Sequence, residues 1–114
     1  MPLTEIDKKA IDKIVGEYCR TRVPSHLRQE IKLIYTIRGN DVKITETRPH
    51  WQIEDKWTEM PIARFKRDEK SMKWQLYWVR SNGRWERYLE LKPTKDLKKI
   101  VNEIECDPYH AFWG

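Results

Sequence analysis

The tightest constraint on this chain is the stretch Met72–Tyr88, MKWQLYWVRSNGRWERY, where Asn82-Gly83 sits between two runs of large side chains. Asn-Gly flanked by alternating bulky residues specifies a β-hairpin, because a two-residue turn needs residues that tolerate positive φ. Such a turn sets Arg80 opposite Trp85 and Trp78 opposite Arg87. Side chains alternate along a strand, so Trp74, Leu76, Trp78 and Arg80 are expected to share a face with Trp85, Arg87 and Leu89. One face of the hairpin would then be a lattice of tryptophan and arginine.

The rest of the chain supplies elements around it. Thr4 to about Arg20 reads as a helix, with Thr4 as N-cap, Glu5 and Asp7 in the first turn, and Ile6, Ala10, Ile11, Ile14, Val15 and Tyr18 as the buried stripe. Val23-Pro24 ends it, since the residue before proline disfavours helical backbone. Glu30–Arg38 alternates with Ile31, Leu33, Tyr35 and Ile37 on one face, and Gly39-Asn40 turns the chain into Asp41–Arg48. That turn pairs Arg38 with Asp41, Tyr35 with Ile44 and Leu33 with Glu46. Trp57–Arg67 is a third strand, and Pro61 within it suits a strand entry, an edge or a bulge. A last helix is expected from Thr94 as N-cap, burying Leu97, Ile100, Val101 and Ile104 and stopped by Asp107-Pro108. The aromatic tail after it is expected to dock on the core.

Strands grouped between terminal helices imply an α+β fold. The expectation is an antiparallel sheet of about five strands, a hairpin plus a three-strand meander, flanked by an N-terminal and a C-terminal helix. At 114 residues, with no glycine- or proline-rich linker, residues 1–114 read as one domain. No apolar run is long enough to span a membrane, and MPLTEIDKKA lacks the apolar region of a secretory signal. The expected location is therefore cytoplasmic, with Cys19 and Cys106 as reduced thiols.

Charge is where function first shows. The formal net charge is +5, and residues 64–88 carry eight basic against three acidic residues, so the entire excess lies in the aromatic-rich strands. Cations interleaved with aromatics are the composition of single-strand nucleic-acid surfaces, where bases stack and phosphates pair. The expected nucleic-acid contacts are Arg64, Lys66, Lys73, Tyr77, Arg80, Arg84, Arg87 and Tyr88, with a single-stranded or structured ligand. The same lattice can instead serve the sheet alone, since arginine stacked on tryptophan contributes about 0.5–1 kcal/mol when exposed.

Glu46 falls on the inward phase of an apolar strand, where an unpaired carboxylate is costly. It is expected to pair with an arginine, Arg28 or one from the hairpin, in a structural ion pair or pocket that also takes in Arg48, Trp51, Trp78 and Trp85. Catalysis at Glu46 is the competing use, because perturbed carboxylates serve both purposes. No glycine-rich phosphate loop is present, and His26, His50 and His110 lie in separate loops without metal-ligand spacing. Neither cofactor nor metal is expected. The leading function is a non-enzymatic nucleic-acid-binding module; a protein-interaction or homodimerisation domain is the alternative.

His26-Leu27-Arg28, Glu46-x-Arg48-Pro49-x-Trp51, Tyr77-Trp78-Val79-Arg80, Trp85-x-Arg87-Tyr88 and Asp107-Pro108-Tyr109 with Phe112-x-Gly114 resemble a bacterial domain-of-unknown-function family, DUF 3024. The resemblance runs in order over nearly the whole chain and departs at His110-Ala111 and Trp113, where Gly-Cys and Phe are expected. It implies a small bacterial domain whose pattern includes the Trp/Arg face and the Glu46/Arg48 strand. It implies no particular activity.

Overall fold

A computed structural model describes residues 3–27, 30–50 and 52–113. Thr4 caps the first helix as expected: its hydroxyl accepts the Asp7 N–H at 3.2 Å while the Asp7 carboxylate accepts the Thr4 N–H at 2.9 Å. The helix then runs in three consecutive pieces, α1 (Glu5–Ile11), a π-helical turn (Asp12–Gly16) and α2 (Glu17–Arg22). Ile11, Val15 and Cys19 are buried at four-residue steps, the wider spacing that a π turn permits. The expected stripe needs correcting at its start. Ile6 is 81% exposed and Ala10 is also exposed. Five residues before Ile11, Ile6 lies about 140° round a helix of 3.6 residues per turn, and Leu3 fills the core in its place.

The sheet is an antiparallel meander in the order β1-β2-β3-β4-β5, formed by β1 (Lys32–Arg38), β2 (Asp41–Pro49), β3 (Trp57–Arg67), β4 (Trp74–Val79) and β5 (Trp85–Arg87). The first hairpin has the register read from its sequence: Arg38 opposes Asp41, Tyr35 opposes Ile44 and Leu33 opposes Glu46. Gly39 at the first loop position has φ +62, the left-handed conformation a type II′ turn needs there. The proline in β3 does mark a bulge. Register shifts between Ile44 and Thr45, with Ala63 opposite Ile44 and Pro61 opposite Thr45. Ile62 is the extra residue, and it and Ala63 are both buried.

The β4–β5 hairpin departs from expectation by one residue. Val79 opposes Trp85, Trp78 opposes Glu86 and Tyr77 opposes Arg87. The loop holds three residues, Ser81-Asn82-Gly83: the Arg80 N–H donates to the Arg84 carbonyl at 2.8 Å and the Gly83 N–H to the Arg80 carbonyl at 2.9 Å. Gly83, at φ +81, takes the left-handed position that closes such a loop. A one-residue slip exchanges faces. Trp74, Leu76 and Trp78 therefore face the helices, while Trp85 and Arg87 join Tyr77 on the opposite side. The single-faced Trp/Arg lattice does not form.

The final helix, α3, spans Leu97–Cys106. Its N-cap is Asp96, whose carboxylate accepts the Lys98 N–H, and not Thr94. Thr94 is held outside the helix by exchanging backbone hydrogen bonds with Trp74. Leu97, Ile100 and Ile104 are buried as expected, with Val101 half-buried. Asp107 ends the helix in a left-handed conformation, φ 40. Its buried carboxylate accepts the N–H groups of Ala111 (2.7 Å), Phe112 (3.1 Å) and Trp113 (2.8 Å). The aromatic tail docks accordingly: Phe112 is buried 5.0 Å from the Tyr88 ring, and the Trp113 indole N–H donates to the Ile104 carbonyl.

Both helices cover the same sheet face. Ile11, Val15, Ile100 and Ile104 meet Val42, Ile44, Phe65 and Leu76 in one core. The other face is left open. None of the described helices is long and apolar enough to cross a membrane.

Candidate nucleic-acid interface

Alternation and register together determine what the open face carries. One row crosses all five strands, reading Thr36, Lys43, Arg64, Tyr77 and Arg87. The next row toward the β1–β2 turn is Arg38, Asp41, Lys66 and Gln75. Asp41 is the one acid in these two rows, and it is already committed. The Arg64 Nε lies 2.9 and 2.7 Å from its two carboxylate oxygens, and the Arg64 guanidinium sits 5.8 Å from the Tyr77 ring centroid. Arg64 thus braces the ring and neutralises Asp41. It is held apart from the expected role of a free phosphate contact.

Beside this pair, the open face sinks into a groove of about 740 Å³ lined by Lys66, Lys70, Lys73, Gln75, Tyr77 and Arg87, with the Asp68–Ser71 turn at its end. The four cations are exposed, and none has an ion-pair partner among the described residues. The two acids at the groove are otherwise engaged. The Asp68 carboxylate accepts the Ser71 N–H at 2.8 Å and the Lys70 N–H at 3.1 Å. Those backbone donors, Ser71 first, hold its carboxyl below the usual carboxylate range. Glu69 accepts from the Asn40 side-chain amide at 3.2 Å. Four cations without an ion pair among the described residues therefore converge beside an aromatic ring, and phosphate groups have the complementary charge.

The fold gathers Lys66, Lys73, Tyr77 and Arg87 from the eight expected contacts. Tyr88 goes elsewhere: it is 3% exposed, its hydroxyl donates to Glu103 at 2.6 Å, and its ring offers no face to a ligand. Burial and that carboxylate push its phenol well above the ordinary value. Arg80 pairs with Glu86 at 2.8 Å and lies 5.8 Å from the Trp78 ring, on the helix-side phase of the hairpin tip. Arg84 shares that phase and is exposed. The rows also bring in Lys43 and Arg38, and the groove Lys70, none of them among the expected contacts. Lys43 joins the row only through the β2–β3 register, which the bulge obscures in the sequence.

Glu46 is 12% exposed in its side chain and pairs with Arg48 at 2.7 Å. Its partner is thus the arginine two residues along its own strand, not one from the hairpin; Arg28 and Trp51 lie outside the described residues. Glu46 and Arg48 edge a pocket of about 320 Å³ with Arg22, Leu33 and Trp113, while Trp78 and Trp85 lie away from it on β4 and β5. Arg48 is 58% exposed, so this is a half-solvated pair with a modest energetic role. His50 braces its own loop, its Nδ1 accepting the N–H groups of Gln52 and Ile53 at 3.1 Å. Among the described residues, no three His, Cys, Asp or Glu side chains converge as a metal-holding group. Burial pushes the Cys19 thiol up to about 12, and both cysteines are free.

A family model described as Domain of unknown function (DUF3024) matches residues 3–114. The chain belongs to that family. No curated protein and no solved structure matches it significantly. The DUF3024 match takes in the sheet, the groove and the docked tail, in keeping with a resemblance read in order over nearly the whole chain. The family description carries no activity, so what this DUF3024 member can do rests with its site.

Proposed function

We propose that this chain is a non-enzymatic, single-domain nucleic-acid-binding module whose ligand lies on the open face of the sheet. The observation that carries this reading is the convergence of Lys66, Lys70, Lys73 and Arg87, none of them ion-paired among the described residues, on one groove beside Tyr77. An isolated surface lysine needs no ligand, but four facing one groove repel each other and gain when polyanion phosphates arrive. A nucleic acid supplies those phosphates with a base for every phosphate, and the groove supplies a ring beside its cations. Nucleic-acid binding also suits the cytoplasmic setting expected from the sequence and the bacterial one that the family resemblance implies.

Intrinsic tryptophan fluorescence tests the reading directly. Short DNA and RNA, single-stranded and duplex, are titrated into the full chain at low and moderate salt. Binding is expected to weaken as salt rises, with a log–log slope of about −0.7 per phosphate neutralised on a single strand. A Lys66→Ala/Lys73→Ala/Arg87→Ala variant, with an unchanged melting temperature, is expected to lose most of the signal. Absence of binding at low salt would sink the proposal and redirect attention to protein partners.

A further inference from the structure

The β4–β5 part of the open face carries two aromatic rings whose spacing restricts the kind of strand they can serve. Tyr77 opposes Arg87 and Val79 opposes Trp85, so Tyr77 and Trp85 are diagonal neighbours on the same face of β4–β5. Both are half-buried. Diagonal positions of this kind stand roughly 7–8 Å apart. Within a duplex, successive bases of one strand stack about 3.4 Å apart. Each interior base also has both faces covered by its neighbours, so a protein ring finds no free face there. An unpaired strand that has opened its stack can lay one base on each ring.

Arg87 occupies the position that joins them. It lies directly opposite Tyr77 and two residues along β5 from Trp85, on their face, exposed and without an ion pair among the described residues. The phosphate linking two such bases falls between the rings, within reach of its guanidinium. On the Tyr77 side the backbone runs on into the groove, where Lys66 and Lys73 stand. The Gln75 amide, the polar side chain next to Tyr77 on this face of β4, already donates to the Leu76 carbonyl at 2.8 Å and the Tyr88 carbonyl at 3.3 Å. Its donors are therefore committed to the backbone and not to a base edge.

We infer that the open face of β4–β5 takes unpaired nucleic acid, with consecutive bases on Tyr77 and Trp85, their linking phosphate on Arg87, and recognition by stacking that tolerates any base. This rests on the nucleic-acid reading above and narrows it to unpaired strands. It also depends on the three-residue loop at Ser81-Asn82-Gly83. A two-residue turn would put Trp85 and Arg87 on the face that the helices cover, and the paired platform would vanish.

The test uses fluorescence anisotropy with labelled 12-nucleotide dT and mixed-sequence strands and a blunt 12-base-pair duplex at one salt concentration. Single strands are expected to bind at least about tenfold more tightly than the duplex. Tyr77→Ala and Trp85→Ala each weaken single-strand binding about tenfold and leave duplex binding unchanged, while Tyr77→Phe and Trp85→Phe retain most of it. Ultraviolet crosslinking of a bromouridine-substituted strand to the unaltered protein gives a readout independent of any variant, with adducts expected at Tyr77 and Trp85. Equal affinity for duplex and single strand, or adducts confined to other residues, would overturn the inference; salt-sensitive binding in that case would leave the broader proposal standing. No binding of either form would remove both.

Discussion

A glycine within a helix is ordinarily less stable than alanine by about 0.5–1 kcal/mol, and Gly16 is placed to reverse that sign. The N-terminal helix crosses β1 at this residue. A Cβ there would lie 2.6 Å from the Asp12 carboxylate, 2.9 Å from the Arg20 guanidinium and 3.1 Å from the Tyr35 ring. Those three groups form one network: the Tyr35 hydroxyl donates to Asp12 at 2.6 Å and Arg20 reaches the same oxygen at 3.3 Å. The Tyr35 bond, then Arg20, keeps the Asp12 carboxyl below its usual range, whereas burial first and then Asp12 push the Tyr35 phenol up to about 12. A methyl group must spread this network or lift the helix from the sheet. Gly16→Ala is therefore expected to destabilise the fold by about 1 kcal/mol, the cost of modest overpacking, read as a lower urea midpoint at unchanged slope. A rise in the midpoint would mean that the close approach imposes nothing.

Among the elements, the tail has the clearest single point of failure. Three successive backbone N–H groups converge on the Asp107 carboxylate, in a left-handed residue that ends α3. Removing the carboxylate leaves those donors half-buried without an acceptor, and the expected loss for Asp107→Ala is about 3 kcal/mol. Limited proteolysis should then cut after Tyr109 or Phe112 while the sheet stays protected; uniform digestion would show that the tail and the sheet unfold together. The tail was legible because a run of aromatics after a helix stop has few places to go but the core. The β1–β2 register was legible because the two-residue Gly39-Asn40 turn fixes the pairing, and that pairing puts Leu33, Tyr35, Val42 and Ile44 on one side. The β4–β5 register was not. Large side chains occupy both phases of these strands, so apolar patterning cannot choose between faces, and Asn-Gly serves a three-residue loop as readily as a two-residue one. That one-residue ambiguity decides whether Trp85 and Arg87 are core-facing or available to a ligand.

At the scale of the whole molecule, the sheet separates two uses of the same residue types. Toward the helices, charge is neutralised within the chain: Arg67, 8% exposed, pairs with Asp7 at 3.2 Å and Arg22 with Glu105 at 2.8 Å, while the neutral Tyr88 hydroxyl donates to Glu103. On the open side Lys43, Lys66, Lys73 and Arg87 have no such partners among the described residues. A net charge of +5 attracts any polyanion weakly, whatever its distribution. Distribution and total can be told apart with two variants of equal charge. One replaces Lys66, Lys70, Lys73 and Arg87 with glutamine; the other replaces Lys9, Lys13, Lys98 and Lys99, which are exposed on the helix layer. Steering by net charge alone treats the two alike. Direct phosphate contacts do not, because each lost contact removes its own share of released counterions. The groove variant should bind a short single strand at least about tenfold more weakly, with a shallower salt slope, and the helix variant should stay within about twofold of the unaltered protein. Equal losses in both would reduce the open face to one part of a generally basic surface, and the groove would no longer be a site.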